Sequence, residues 1–229
     1  MTGIFDSGVG GFASYNEIRR LLPCEDILYL ADREGAPYGT KNKETLIPLI
    51  RRDILRLKER GAQRILIACC TASALWQFLT DEEKEISFPI ISPSAELSAS
   101  LGERITVIAT DYTARCGAFS EEIKRFNPRA CVTEISAQGL VSLVECGARD
   151  GALGVASEEA VERVCRAVGQ SSPDVLILGC THFSHLEGEI GKRLPKTKLV
   201  TPAVVGAREF VKKIKKEKSV SEHGFTLYM

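Results

Sequence analysis

Short apolar runs alternate with helix-periodic segments along the whole chain, and that alternation admits few architectures other than open α/β sheets. Residues 2–5, 26–31, 64–68 and 89–91 read as strands. Residues 10–22 and 43–60 read as helices, the second with Leu46, Leu49, Ile50, Ile54 and Leu57 at a 3.6-residue period. A third helix is expected over 72–79. A second set follows, with strands at 105–109, 131–135, 175–178 and 198–200 and helices at 112–126, 157–168, 183–194 and 204–216. The fold class expected is α/β: two open parallel-sheet α/β domains related by pseudo-symmetry. Proline and small residues end elements at Pro93-Ser94 and Thr201-Pro202. These breaks place residues 1–92 and 203–229 in a first domain and 93–202 in a second. Ligands of such sheets bind outside the carboxyl ends of the strands, so the active site belongs in the cleft between the domains.

Two of those carboxyl ends carry thiols. Asp174-Val-Leu-Ile-Leu-Gly-Cys-Thr-His182 is a buried strand running through a glycine into a cysteine, a threonine and an imidazole. Arg64-Ile-Leu-Ile-Ala-Cys-Cys-Thr71 repeats the pattern about a hundred residues earlier. Helix N-termini favour thiolates, so Cys69, Cys70 and Cys180 are expected to ionise more readily than ordinary cysteines. Matching the two Cys-Thr pairs aligns Cys70, rather than Cys69, with Cys180. The other five cysteines, Cys24, Cys116, Cys131, Cys146 and Cys165, read as small buried hydrophobes.

Composition narrows the function classes. The chain has 229 residues, a formal net charge of zero and an ordinary charged fraction of 26%, which offers no electrostatic basis for a nucleic-acid partner. Its first residues lack the basic and apolar regions of a secretory leader. No apolar run reaches the roughly 20 residues that span a bilayer, so cytoplasmic residence with free thiols and no membrane partner is expected.

Other loops hold ligand-binding groups. Asp6-Ser-Gly-Val-Gly-Gly11 ends the first strand and could present free N–H groups to a carboxylate or phosphate, although it fits neither dinucleotide fingerprint nor P-loop. A plain strand–helix turn is the alternative. Asp32-Arg-Glu-Gly-Ala-Pro-Tyr-Gly-Thr-Lys41 is a Gly/Pro loop that is either a surface turn or a source of hydroxyl and N–H donors. Cys180, His182 and His185 could be read as metal ligands, but a structural zinc needs four and no C-x-x-C pair completes the set, so no metal is expected. A Cys–His pair for acyl transfer would leave the first cysteine turn unexplained.

Five segments in order carry a resemblance: Phe5-Asp-Ser-Gly-Val-Gly-Gly11, Pro37-Tyr-Gly-Thr-Lys41, Ala68-Cys-Cys-Thr-Ala-Ser-Ala74, Leu140-Val-Ser-Leu-Val-Glu145 and Leu178-Gly-Cys-Thr-His182. In order and spacing the chain resembles the bacterial glutamate racemases, from its first residues to about residue 190. The resemblance implies a cofactor-independent enzyme in which two cysteines exchange the α-proton of glutamate, supplying D-glutamate for peptidoglycan, and it implies a homodimer. By that pattern Cys69 and Cys180 are the two bases, with Asp6 assisting the first and His182 and Glu145 the second. Ser7, Pro37, Tyr38, Gly39, Cys70, Thr71, Thr110, Thr113 and Thr181 match its substrate-binding set. Two similar acid/base groups on opposite faces suit racemisation, which needs a base on one side of Cα and an acid on the other.

The chain departs from that pattern at Cys70, where the family usually has Asn, at Ser92, where it has an acidic residue, and at Thr201-Pro-Ala203, where it has an Asp-Ser-Gly-like turn. An amide both donates and accepts well, and a thiol does neither well. Racemisation of another amino acid such as aspartate, and a non-catalytic binding protein, therefore stand beside glutamate racemisation.

Overall fold

The computed structural model describes residues 1–150 and 155–223; residues 224–229, assigned above to the first domain, lie outside them. Strands β1 (Thr2–Asp6), β2 (Ile27–Ala31), β3 (Arg64–Ile67) and β4 (Ser87–Pro89) form one parallel sheet in the order β2-β1-β3-β4. Helices α1 (Phe12–Leu21), α2 (Lys43–Glu59), α3 (Cys70–Ser73) and α4 (Asp81–Ile86) lie on its connections. Helix α5 (Ile91–Leu101) then leads into the second half. There β5 (Arg104–Ala109), β6 (Cys131–Ser136), β7 (Val175–Gly179) and β8 (Lys198–Val200) form a second parallel sheet, ordered β6-β5-β7-β8. Its connections are α6 (Asp111–Cys116), α7 (Ala118–Phe126), α8 (Gln138–Asp150), α9 (Val155–Gln170) and α10 (Glu187–Arg193). The last helix is α11 (Pro202–His223).

The second sheet repeats the first strand for strand, and the ladder gives the register of the repeat. Asp6 pairs with Ala31 at the end of β1, as Ala109 pairs with Ser136 at the end of β5. On the other side Phe5 pairs with Ile67, and one step further Ala68 N–H donates to Phe5 O. In the second sheet Ala109 pairs with Gly179. Ala68 therefore corresponds to Gly179, and the next residues, Cys69 and Cys180, correspond to each other. This corrects the sequence alignment of Cys70 with Cys180.

Alternation along the strands builds three cores. Ile4 and Leu66 of the first sheet and Val107 and Ile177 of the second share a central core with α5 and α11, including Ala95 and Phe210. Phe5, Ile65 and Ile67 turn the other way onto α2. Ile108, Leu176 and Leu178 turn outward onto α8, α9 and the turn after β7. Helix α11 returns to the first half, where Ser14 Oγ donates to Ala203 O at 2.7 Å and Arg208 reaches Glu17 at 2.6 Å.

Several expected elements differ. The helix expected over 72–79 is broken: α3 stops at Ser73, a 3₁₀ turn covers Trp76–Phe78, and α4 starts anew at Asp81 behind its N-cap Thr80. Thr80 and Glu83 form a reciprocal capping box, and that local signal wins over continued helical periodicity. The strand expected at 89–91 lies at Ser87–Pro89, and Pro93-Ser94 is not a break. Pro93 sits in the first turn of α5, where a missing N–H costs nothing, and Ser94 donates back to Ile90 O. The helix expected over 112–126 is two helices divided at Gly117, whose φ of +69° is left-handed. The segment after Cys180 is a 3₁₀ turn, Thr181–Leu186, before α10. Cys24, Cys116, Cys131 and Cys146 are exposed; of the five cysteines read as buried only Cys165 is. No described helix is long and apolar enough to cross a membrane.

Candidate active site

The carboxyl ends of β1, β3, β5 and β7 converge on one narrow cavity. Cys69 and Cys180 both line it, each as the residue that opens the turn after its strand: Cys69 caps α3 and Cys180 caps the 3₁₀ turn. Both are nearly buried, 4% and 6% exposed. Ser7, Cys70, Thr71 and Thr181 complete the lining near the thiols, and Pro37, Tyr38, Gly39 and Thr110 line the cavity from the two halves. His182 and Glu145 line it as well.

Each thiol has its own partner. Ser7 Oγ lies 3.4 Å from Cys69 Sγ. His182 Nδ1 lies 3.7 Å from Cys180 Sγ, as donor or acceptor depending on the tautomer. Glu145 Oε1 is 3.3 Å from His182 Nε2 but out of hydrogen-bond alignment, so the buried Nε2 has no hydrogen-bond partner among the described residues. Asp6 is fully buried behind the lining. Its carboxylate accepts from Gly8 N–H at 2.8 Å and from Thr181 Oγ1–H at 3.1 Å. It thus ties the first strand end to the turn that carries Cys180, and it makes no hydrogen bond to Cys69.

Close backbone approach holds these turns together. A Cβ on Gly10 would lie 2.8 Å from Thr181 Cβ and 2.9 Å from His182 N, so the glycine is what lets the first turn dock on the second. Tyr29 supports the same turn by donating to Gly8 O at 2.9 Å. Across the halves, Thr71 Oγ1 is 3.1 Å from Thr110 Oγ1 and 3.2 Å from Thr113 Oγ1, and the last two are 3.0 Å apart. Thr113 belongs to this hydroxyl cluster without lining the cavity.

The Tyr38 hydroxyl points to a different task from the one expected. It donates to Asp32 Oδ2 at 2.7 Å, with Asp53 Oδ2 at 3.3 Å, and Arg52 bridges both carboxylates. Tyr38 therefore meets the cavity with its ring, while its hydroxyl anchors the loop. Burial pushes the Asp32 carboxyl up, but the Tyr38 hydroxyl, Gly35 N–H and Arg52 together bring it below the ordinary value. Gly39 O accepts from Tyr112 N–H at 2.9 Å, which fastens the loop to the second half.

The expectation of readily ionised thiols is overturned in the closed cavity. Burial pushes the Cys69 thiol up to about 11, with the Asp6 charge adding to it and the Ser7 hydrogen bond offsetting only part. Burial also raises Cys180, against a hydrogen bond from the His182 N–H, and raises Cys70, where the other two thiols add to it. The reason is physical: a four-residue helix and a 3₁₀ turn supply little dipole, and desolvation disfavours the charged form. Burial raises the Asp6 carboxyl too, despite the nearby imidazole.

Among the lining residues there is no lysine or arginine. His185 is exposed and outside the cavity, which separates it from His182. Among the described residues no group of three or more His, Cys, Asp or Glu could hold a metal ion. The sequence reading missed Ala36, Gln138 and Val141 in the lining. Gln138, Val141 and Glu145 fall on one face of α8 at i, i+3 and i+7, a spacing that could have found them from Glu145 alone.

The model of the family described as Asp/Glu/Hydantoin racemase matches residues 26–210. A glutamate racemase of Gloeobacter violaceus is 35% identical over 209 residues, covering 90% of this chain and 78% of the relative. The crystal structure of glutamate racemase from Francisella tularensis in complex with D-glutamate superposes with a TM-score of 0.86 at 28% identity, over 95% of this chain and 81% of that one. Glutamate racemase isoform RacE1 from Bacillus anthracis gives a TM-score of 0.85 at 27% identity, over 95% and 82%.

Proposed function

The chain belongs to the Asp/Glu/hydantoin racemase family and is an amino-acid racemase, and from that premise we propose that it interconverts L- and D-glutamate without a cofactor, by two-cysteine transfer of the α-proton. The observation that carries this reading is the placement of Cys69 and Cys180 at corresponding positions of two repeated halves, both on one cavity. In the reaction one thiolate removes the proton from Cα and the thiol on the opposite face delivers its own. The product has inverted configuration, and the two sulfurs have exchanged protonation states. Ser7 supports Cys69, and His182 supports Cys180 with Glu145 at its far nitrogen.

Burial makes both thiols hold their protons tightly, and the Asp6 charge adds to it for each. The substrate ammonium supplies the positive charge that the lining lacks, so binding and thiol ionisation are coupled. Hydroxyl and N–H groups of Ser7, Gly39, Thr71, Thr110 and Thr181 take the carboxylates in this reading. Asp6 and Thr113 position those groups from behind. The substrate lies between a first domain carrying β1–β4 and a second carrying β5–β8, with α5 running across the boundary expected at residues 92 and 93. The enzyme works as a cytoplasmic homodimer and supplies D-glutamate for peptidoglycan, a setting supported by the resemblance to bacterial glutamate racemases.

A second reading, racemisation of another acidic or small amino acid such as aspartate, rests on Cys70, a weakly polar thiol on the cavity wall. One experiment decides between them: α-proton exchange in heavy water with each enantiomer of glutamate and of aspartate, followed by NMR. Deuterium at Cα of glutamate, with aspartate unlabelled, is expected. Labelling of aspartate alone moves the function to that substrate, and labelling of neither overturns the racemase assignment to acidic amino acids.

A further inference from the structure

Gln138 opens α8 and contributes the one side-chain amide among the residues that line the cavity. Its orientation is fixed by chemistry. The Asp111 backbone N–H, which can only donate, lies 3.3 Å from Gln138 Oε1, so the amide oxygen is the atom held there. The amide nitrogen then has no hydrogen-bond partner among the described residues. The anchored oxygen itself stands against the Cα of Gly39, where Thr110 also packs, so the amide is seated at the cavity wall. A carboxylate entering this cavity meets no lysine or arginine and must be held by neutral donors. A pre-oriented N–H₂ group is a strong donor of that kind, and its oxygen anchor costs it no donor.

We infer that Gln138 determines substrate specificity by donating its amide N–H to a carboxylate of the bound amino acid. The inference rests on the reading of the protein as a racemase of acidic amino acids. A carboxylate remote from the reacting carbon keeps its charge throughout the reaction, so this contact acts equally in ground and transition states and governs KM rather than kcat.

The test is steady-state racemisation of glutamate and glutamine by the wild-type protein, Gln138→Glu and Gln138→Ala, with thermal unfolding of each as a check on folding. Gln138→Ala should raise KM for glutamate about tenfold with kcat nearly unchanged. Gln138→Glu places a second carboxylate against the substrate's own; KM should rise about a hundredfold for glutamate and less for glutamine, so that the ratio of their kcat/KM values shifts toward glutamine. A glutamate KM within twofold of wild type in both variants overturns the inference. So does an equal loss on both substrates, which marks a structural role. A wild-type protein that racemises no acidic amino acid overturns the underlying reading instead, and is distinguished by its appearing before any substitution is made.

Discussion

Cys69 and Cys180 occupy one and the same position in two copies of a strand–turn motif: Cys180 follows Gly179, which pairs with the end of β5, Cys69 follows Ala68, whose N–H extends the β1–β3 ladder by one step, and each caps the turn that comes next. Cys70, its neighbour in sequence, corresponds instead to Thr181 and packs into the central core. The repeat therefore distinguishes the two adjacent thiols.

Replacing either capping cysteine should stop racemisation. Cys69→Ser and Cys180→Ser should each lose about a thousandfold or more in kcat, since a hydroxyl is a far weaker acid/base than a thiol at neutral pH, while Cys70→Ser keeps measurable turnover. Circular dichroism of the fold and a polarimetric assay of activity check this together. A dead Cys70→Ser beside an active Cys69→Ser would assign the reaction to the wrong thiol.

Raised thiols make the fold sensitive to alkali. The folded protein keeps the Cys69 proton up to about pH 11, while the unfolded chain releases it near pH 9. The unfolded state thus binds fewer protons inside that window, and stability falls as pH rises through it. The full contribution of this group is present below about pH 9; its loss across the window is roughly 3 kcal/mol. Urea unfolding at a series of pH values should show a decline that begins near pH 9 and is shallower in Cys69→Ser.

Gly10 is the contact point between the glycine turn and the second cysteine turn. Gly10→Ala should destabilise the protein by about 1–3 kcal/mol through overpacking against Thr181 and His182, and should depress kcat as the turns separate. Unfolding midpoints and turnover that match wild type would show that the two turns do not bear on each other.

Much of this arrangement was legible in the sequence because strand ends are short-range features. Apolar runs ending in Cys-Thr located both β3 and β7, whereas the glycines after β1 read as N–H donors to a ligand and Gly10 instead makes room for Thr181 and His182. What the sequence could not settle depended on through-space context. The register of the repeat needed the sheet ladder, since Cys-Thr matching alone pointed to Cys70. Thiol ionisation was read from helix ends, whereas the decisive quantity was burial, which only the packed cavity reveals. The Tyr38 hydroxyl turned from the ligand to Asp32 because Arg52 and Asp53, on the next helix α2, complete a charged network with the loop.

That network gives its own prediction. Tyr38→Phe removes the hydroxyl donor of buried Asp32 and should cost about 1–3 kcal/mol of stability, with KM raised because the Pro37–Gly39 loop loosens. Chemical denaturation and KM for glutamate measure the two effects. A rise in KM with unchanged stability would place the hydroxyl on the substrate.

The most direct test of two-thiol transfer is where deuterium goes when a single enantiomer of glutamate is racemised in heavy water and stopped at early conversion. Two opposed thiols deliver a solvent-derived deuteron to one face while the other thiol holds the substrate's own proton. Deuterium is expected in the product of inverted configuration and almost none in the recovered starting enantiomer, from either direction. Deuterium in the recovered enantiomer at a rate equal to that in the product would mean one base serving both faces, and would contradict it.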